Sequence, residues 1–252
     1  MLLTSDVKAD VALLRAKAPL THCLTNFVAA GFTANVLLAL GASPAMVIAA
    51  EEVQAFAARA DGVLINLGTI TAVSAAAMEL TAAAGTPWVL DPVAAGVLAF
   101  RTGVATSLLR HRPAIIRGNA SEILALAGLE GRGRGVESTA PSSAAVEAAK
   151  ALALRSGSVV AVSGATDYVT DGAELLEITG GHPIMTRVVG TGCSLGAAMA
   201  AFLGAGVPPM QAAATASAVF AYAGERAAAQ SRGTGSFAVA FVDELSLIGT
   251  QD

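Results

Sequence analysis

Along most of this chain, short apolar runs end abruptly on a polar side chain, and most are followed by a segment with helical spacing. Residues 19–26 (P-L-T-H-C-L-T-N) end at Thr25 and Asn26, residues 62–68 at Asn66 and Gly68, residues 88–91 at Asp91, residues 114–119 at Arg117 and Asn119, and residues 159–163 at Ser163. Continuous apolar runs are strands buried on both faces, and their alternation with helices dictates a parallel arrangement. The predicted fold is therefore α/β: a mostly parallel central sheet flanked by helices on both faces, with residues 1–252 as a single domain. Such sheets bind ligands outside the carboxyl ends of their strands, where all these polar residues fall. Each is also an ordinary cap or turn residue when taken singly; only their shared location argues for a site.

The segments between the runs complete the outline. An amphipathic helix opens the chain; residues 29–40 form a second helix, stopped by G-A-S-P and followed by a strand over 45–48. Helices are predicted over 51–60, 73–84, 102–110, 121–127 and 146–153. Asn119 and Glu122 have capping-box spacing at the start of the 121–127 helix, which is the plain structural reading of both. Residues 131–143, rich in Gly, Arg and Ser, read as a mobile surface loop. Asp171-Gly172 marks the turn of a hairpin, and a helix over 237–248 closes the chain.

Residues 188–199 read V-V-G-T-G-C-S-L-G-A-A-M, a glycine turn feeding a helix N-terminus. Gly190, Thr191 and Gly192 can aim consecutive N–H groups into one concavity, and the helix dipole adds positive potential there, so the turn suits an anion. Cys193 falls in the first helical turn, where a thiol's ordinary pKa of roughly 8.5 is expected to drop. A glycine turn capping a buried helix, with Cys193 as a small core residue, fits the same letters.

Charge narrows the partners. Net charge is −4 with no basic run, against a nucleic-acid partner. Only 13% of residues are charged, so apolar surface must be covered internally or between subunits, and an oligomer is expected. Residues 188–224 carry no charge, yet their Ala, Gly, Ser and Thr and the break at Pro208-Pro209 favour two buried helices over a membrane span. Cys23 and Cys193 make no disulfide framework or zinc spacing, and the N-terminus lacks a signal-peptide core; a cytoplasmic protein is expected.

An anion-binding turn, a cation at Arg117, and carboxylates at Asp91 and Glu122 able to hold Mg²⁺ directly or through water are the parts of a phosphoryl-transfer site. No Walker sequence or Rossmann glycine fingerprint is present.

An ordered set of motifs then carries a resemblance: T-N at 25–26, F-T-A-N at 32–35, L-L-A-L-G-A-S-P-A-M at 37–46, L-D-P-V at 90–93, I-R-G-N-A-S-E-I at 116–123, D-Y-V-T-D-G from Asp167, G-T-G-C from Gly190 and G-S-F-A-V-A-F from Gly235. The chain resembles the hydroxyethylthiazole kinases of the ribokinase-like superfamily nearly end to end. The resemblance implies ATP-dependent phosphorylation of 4-methyl-5-(2-hydroxyethyl)thiazole and a homotrimer with active sites between subunits. It implies thiazole contacts from Met46 and Gly190 and ATP contacts from Arg117 and Ser163; from their places at the strand ends, Asn26 is expected to join the thiazole contacts and Asn119 the ATP contacts. Cys193 would stand where related sugar kinases carry an aspartate base, assisting without being indispensable. Two alternatives stay open here: a kinase of a hydroxymethylpyrimidine or pyridoxal type of alcohol, and a catalytically silent thiazole or ATP sensor.

Overall fold

The chain opens with α1 (Ser5–Lys17), whose Thr4 side chain accepts from the Val7 N–H, and enters β1 (Leu20–Leu24). The computed structural model describes residues 2–128 and 141–249. After β1 come α2 (Ala30–Leu40), β2 (Ser43–Ala45), α3 (Val53–Ala57) and β3 (Gly62–Asn66). The alternation continues through α4 (Ala72–Ala82), β4 (Trp88–Asp91), α5 (Ala99–Leu108), β5 (Ile115–Asn119) and α6 (Ala120–Leu126). Then follow α7 (Val146–Ser156), β6 (Val159–Ser163), β7 (Thr166–Thr170), β8 (Leu175–Thr179), α8 (Thr191–Gly204), α9 (Pro209–Gln230) and α10 (Thr234–Leu247).

The strands of the described residues form one eight-stranded sheet in the order β2-β1-β3-β4-β5-β6-β7-β8. All pairings from β2 to β6 are parallel, and β7 and β8 add antiparallel edges. Parallel strands put their carboxyl ends on one edge, so Asn66, Asp91, Asn119 and Ser163 line up by register: Asn66 opposes Asp91, and Asn119 opposes Ser163.

Side chains alternate across the sheet, and this divides the core in two. Cys23, Leu64, Val89 and Ile115 face α1, α2, α8, α9 and α10. Leu24, Val63, Ile65, Leu90 and Ile116 face α3 to α7. Continuous apolar strands were the sequence signature of this two-sided burial. The small residues of α8 serve close packing: a Cβ on Gly62 of β3 would stand 2.1 Å from the Ala200 carbonyl oxygen, a contact no side chain survives. Helix α8 thus lies directly on the central strand, which brings its N-terminus to the edge where the polar residues gather.

The uncharged stretch is indeed two buried helices, α8 and α9, and among the described residues no helix is long and apolar enough to cross a membrane. The Asp171-Gly172 hairpin is present, with Asp171 Oδ1 accepting from the Ala173 and Glu174 N–H groups. The strand expected over 45–48 lies earlier, at Ser43–Ala45. Past Ala45 the ladder gives way to a side-chain bond: the His22 Nε2 of β1 meets the Val47 carbonyl at 2.7 Å. Of the loop expected over 131–143, residues 131–140 lie outside the described residues, and Ser142 begins a short 3-10 turn.

Candidate active site

At the carboxyl edge a continuous chain of side-chain hydrogen bonds crosses five strands' ends. Asn26, just past β1, donates through Nδ2 to Asn66 Oδ1 at 2.9 Å and to Cys193 Sγ at 3.2 Å. Asn66 donates to Asp91 Oδ2 at 2.7 Å. Arg117 donates to the same oxygen at 3.3 Å and, through Nε, to Ser163 Oγ at 3.2 Å. The sequence-predicted residues Asn26, Asp91, Arg117, Ser163 and Cys193 are therefore one connected array, built from β1, β3, β4, β5, β6 and the first turn of α8.

The α8 turn reaches the array from above. Gly190 caps the helix at φ +92°, a left-handed conformation suited to glycine, and Phe32 crowds the position of its missing Cβ at 3.0 Å. A Cβ on Gly192 would lie 3.2 Å from an Arg117 guanidinium nitrogen. The guanidinium thus sits beside Gly192 in the first turn of α8, and cation and helix dipole act on the same volume.

Electrostatics follow from burial. Asp91 is 1% exposed, and desolvation pushes its carboxyl up to about 6 against the pull of Arg117, while Glu122 adds to the rise. Cys193 corrects the expectation of a lowered thiol: burial and the nearby Asp91 charge raise it, and Arg117 with the two asparagine amides only partly offsets them. The helix start alone suggested an acidic thiol; the buried carboxylate, distant in sequence, reverses the sign.

Asn119 and Glu122 form the capping box read from their spacing: Asn119 Oδ1 accepts from the Glu122 N–H at 3.0 Å, and Glu122 Oε2 accepts from the Asn119 N–H at 2.8 Å. Glu122 Oε1 accepts from the Ala94 N–H at 2.8 Å, tying down the loop after β4, where Ala94 takes φ +64°. Both Glu122 oxygens are therefore engaged by backbone. Among the described residues no group of three His, Cys, Asp or Glu side chains could hold a metal. Asp91 differs: its Oδ1 is buried with no hydrogen-bond partner, an open oxygen of the kind Mg²⁺ takes when phosphates and water complete its shell.

Met46 stands one residue beyond β2, half-buried against the α8 side of the core, with no bond to the array. Gly68 and Asp167 join the site without having been assigned a role from sequence, and Asn66, expected at this edge with the other strand ends, had been given no role of its own. Asn66 is the middle of the array. Gly68 lies so close to Asn26 that a Cβ would stand 2.6 Å from the Asn26 Cβ. Asp167 accepts from the Gly164 N–H at 2.9 Å and faces Arg117 closely enough to favour its charge. Their signals, a polar strand end, N-x-G, and the D-Y-V-T-D-G motif, were visible but were not distinctive without neighbours.

Residues 11–251 match the model of the Hydroxyethylthiazole kinase family. A hydroxyethylthiazole kinase of Leptospira interrogans (serovar copenhageni) is 56% identical over 250 residues, covering 98% of this chain and 94% of that protein. The solved structure of a hydroxyethylthiazole kinase from Pyrococcus horikoshii superposes with a TM-score of 0.89 at 37% identity, over 97% of this chain and 94% of the other. A ribokinase-like superfamily protein of Enterococcus faecalis, at 15% identity and a TM-score of 0.65 over 97% and 90% of the two chains, shares the fold.

Proposed function

Because this chain belongs to the hydroxyethylthiazole kinase family, we infer that it transfers the terminal phosphoryl group of ATP to the primary hydroxyl of 4-methyl-5-(2-hydroxyethyl)thiazole. The product is the thiazole phosphate from which thiamine phosphate is made. The observation that carries the mechanism is the junction of Arg117, the α8 N-terminus and Asp91. Phosphoryl transfer asks mainly for positioning and neutralisation of charge. In our reading Arg117, Ser163 and the Gly190-Thr191-Gly192 turn hold ATP phosphates, with Asn119 at the same edge. Asp91 Oδ1 would hold Mg²⁺, which supplies charge neutralisation on the phosphates, while Glu122 contributes negative charge and fixes the loop beside it.

The acceptor enters on the opposite side of the array, against Met46, Gly190 and Cys193. A flexible thioether suits a small sulfur heterocycle. The raised thiol of Cys193 remains largely protonated at neutral pH, so it serves by orienting the acceptor hydroxyl more than by abstracting its proton early. A loose transition state asks little of a base. Cys193→Asp is expected to keep or raise turnover, and complete loss in a folded variant would contradict the assisting role.

We read the described chain as one ribokinase-like domain acting as a homotrimer with sites between subunits. The support is the exposed apolar rim at the carboxyl edge: Phe27 and Val28 after β1, Ile48 after β2, and Val97, Leu98 and Phe100 after β4. Two free thiols, Cys23 and Cys193, fit a reducing cytoplasm.

The test is ADP release with ATP and Mg²⁺, offering hydroxyethylthiazole, hydroxymethylpyrimidine and pyridoxal in parallel. Turnover selective for the thiazole is expected; none with any of the three, from folded protein that still binds thiazole, would overturn the kinase reading. Light scattering should give three times the chain mass.

A further inference from the structure

The Asn26 amide has no N–H to spare. Its two Nδ2 hydrogens are matched by two acceptors, Asn66 Oδ1 at 2.9 Å and Cys193 Sγ at 3.2 Å, and its Oδ1 accepts from the Ala29 N–H at 3.0 Å. That last bond fixes which end of the amide is nitrogen, because a flipped amide would face one N–H with another. Asn66 is pinned the same way: its Oδ1 accepts from the Gly68 N–H at 2.9 Å, so its Nδ2 is the end that meets Asp91 Oδ2. Asn26 and Asn66 are 4% and 1% exposed. Gly68, with no room for a Cβ beside Asn26, closes the packing.

We propose that Asn26 and Asn66 are positioning residues, a pair of amides of fixed polarity that holds Cys193 Sγ as a hydrogen-bond acceptor and one oxygen of Asp91 as another. Asn26 then acts on the reaction through the sulfur and not by touching the thiazole, which replaces the substrate contact expected from sequence. Because the protein donates to Sγ, the thiol's own hydrogen is left for the acceptor hydroxyl. Because Asn66 and Arg117 both take Asp91 Oδ2, Oδ1 is the oxygen turned free. The proposal rests on the reading of Cys193 and Asp91 as the groups facing the reactants.

The test is Asn26→Asp, which keeps shape and the Ala29 bond but replaces the donor at both contacts with an acceptor. With folding checked by thermal melting, kcat is expected to fall on the order of 10–100-fold with KM for thiazole and for ATP within about twofold. In a Cys193→Ala background the same change should cost several-fold less, since the sulfur it acts on is gone. Alkylation by iodoacetamide at pH 8 reads the sulfur without turnover: Cys23 is fully buried, so labelling, located by peptide mass spectrometry, reports Cys193 and should slow about tenfold. A raised thiazole KM at unchanged kcat, or an equal cost in both backgrounds, would overturn the proposal. Slowed alkylation together with full activity of Cys193→Ala itself would show the bond to the sulfur but overturn the action of Asn26 on the reaction through it. If Asn26→Asp does not fold, Asn66→Asp, which sets a carboxylate against Asp91 Oδ2, is read in the same way, with unchanged kcat overturning the pair.

Discussion

Asn66 donates to Asp91 Oδ2 at 2.7 Å, while Asp91 Oδ1 is buried without a hydrogen-bond partner. One carboxylate thus has an oxygen committed to the scaffold and an oxygen left over. An unpartnered buried acceptor costs about 1–3 kcal/mol, a cost that a cation bound at Oδ1 would offset.

Asp91→Asn keeps the shape and removes the charge. Turnover is expected to fall by roughly 10²–10³-fold, the loss typical of removing one preorganised electrostatic contact. The measurement is kcat across a range of Mg²⁺ concentrations, with Trp88 fluorescence to check the fold of β4.

Arg117→Lys is not conservative here. The guanidinium reaches Asp91 and Ser163 with different nitrogens, and an ammonium on a flexible stem cannot hold both. KM for ATP is expected to rise about tenfold with a smaller change in KM for thiazole, read from steady-state kinetics.

Gly68→Ala forces a methyl group to 2.6 Å from the Asn26 Cβ. Overpacking of this kind costs roughly 1–3 kcal/mol, and here it also displaces the amide beside Cys193. Urea unfolding should show the lower midpoint, and kcat should fall in the protein that remains folded.

His22 sets an acid limit on stability. Burial holds its imidazole below the ordinary 6.5, opposed by the bond to Val47 O; its Nδ1 has no partner. Below about 6.5 the unfolded chain takes up a proton that native His22 refuses, so this group's contribution is lost as pH falls. Asp91, raised to about 6, works in the opposite direction, binding a proton more readily when native. The difference between wild type and His22→Gln isolates the histidine: melting temperature from pH 7 to pH 5 should decline more steeply in the wild type.

Much of this was legible in the residues. Continuous apolar runs ending on Asn66, Asp91 and Ser163 specified parallel strands and placed those side chains on one edge, because burial on both faces leaves polar groups only at strand ends. Asn119 and Glu122 carried their capping box in their spacing, and Asp171-Gly172 its turn, since both are contacts between near neighbours. What lay beyond the letters was every relation between distant strands. That Asn26 faces Cys193, that Asn66 bridges to Asp91, and that Glu122 spends both oxygens on backbone depend on register and on how closely α8 settles on Gly62. The Cys193 thiol shows the difference most clearly. The helix N-terminus is written locally and lowers a pKa; the desolvation and the Asp91 charge that raise it come from pieces of chain about a hundred residues away, brought together only by packing.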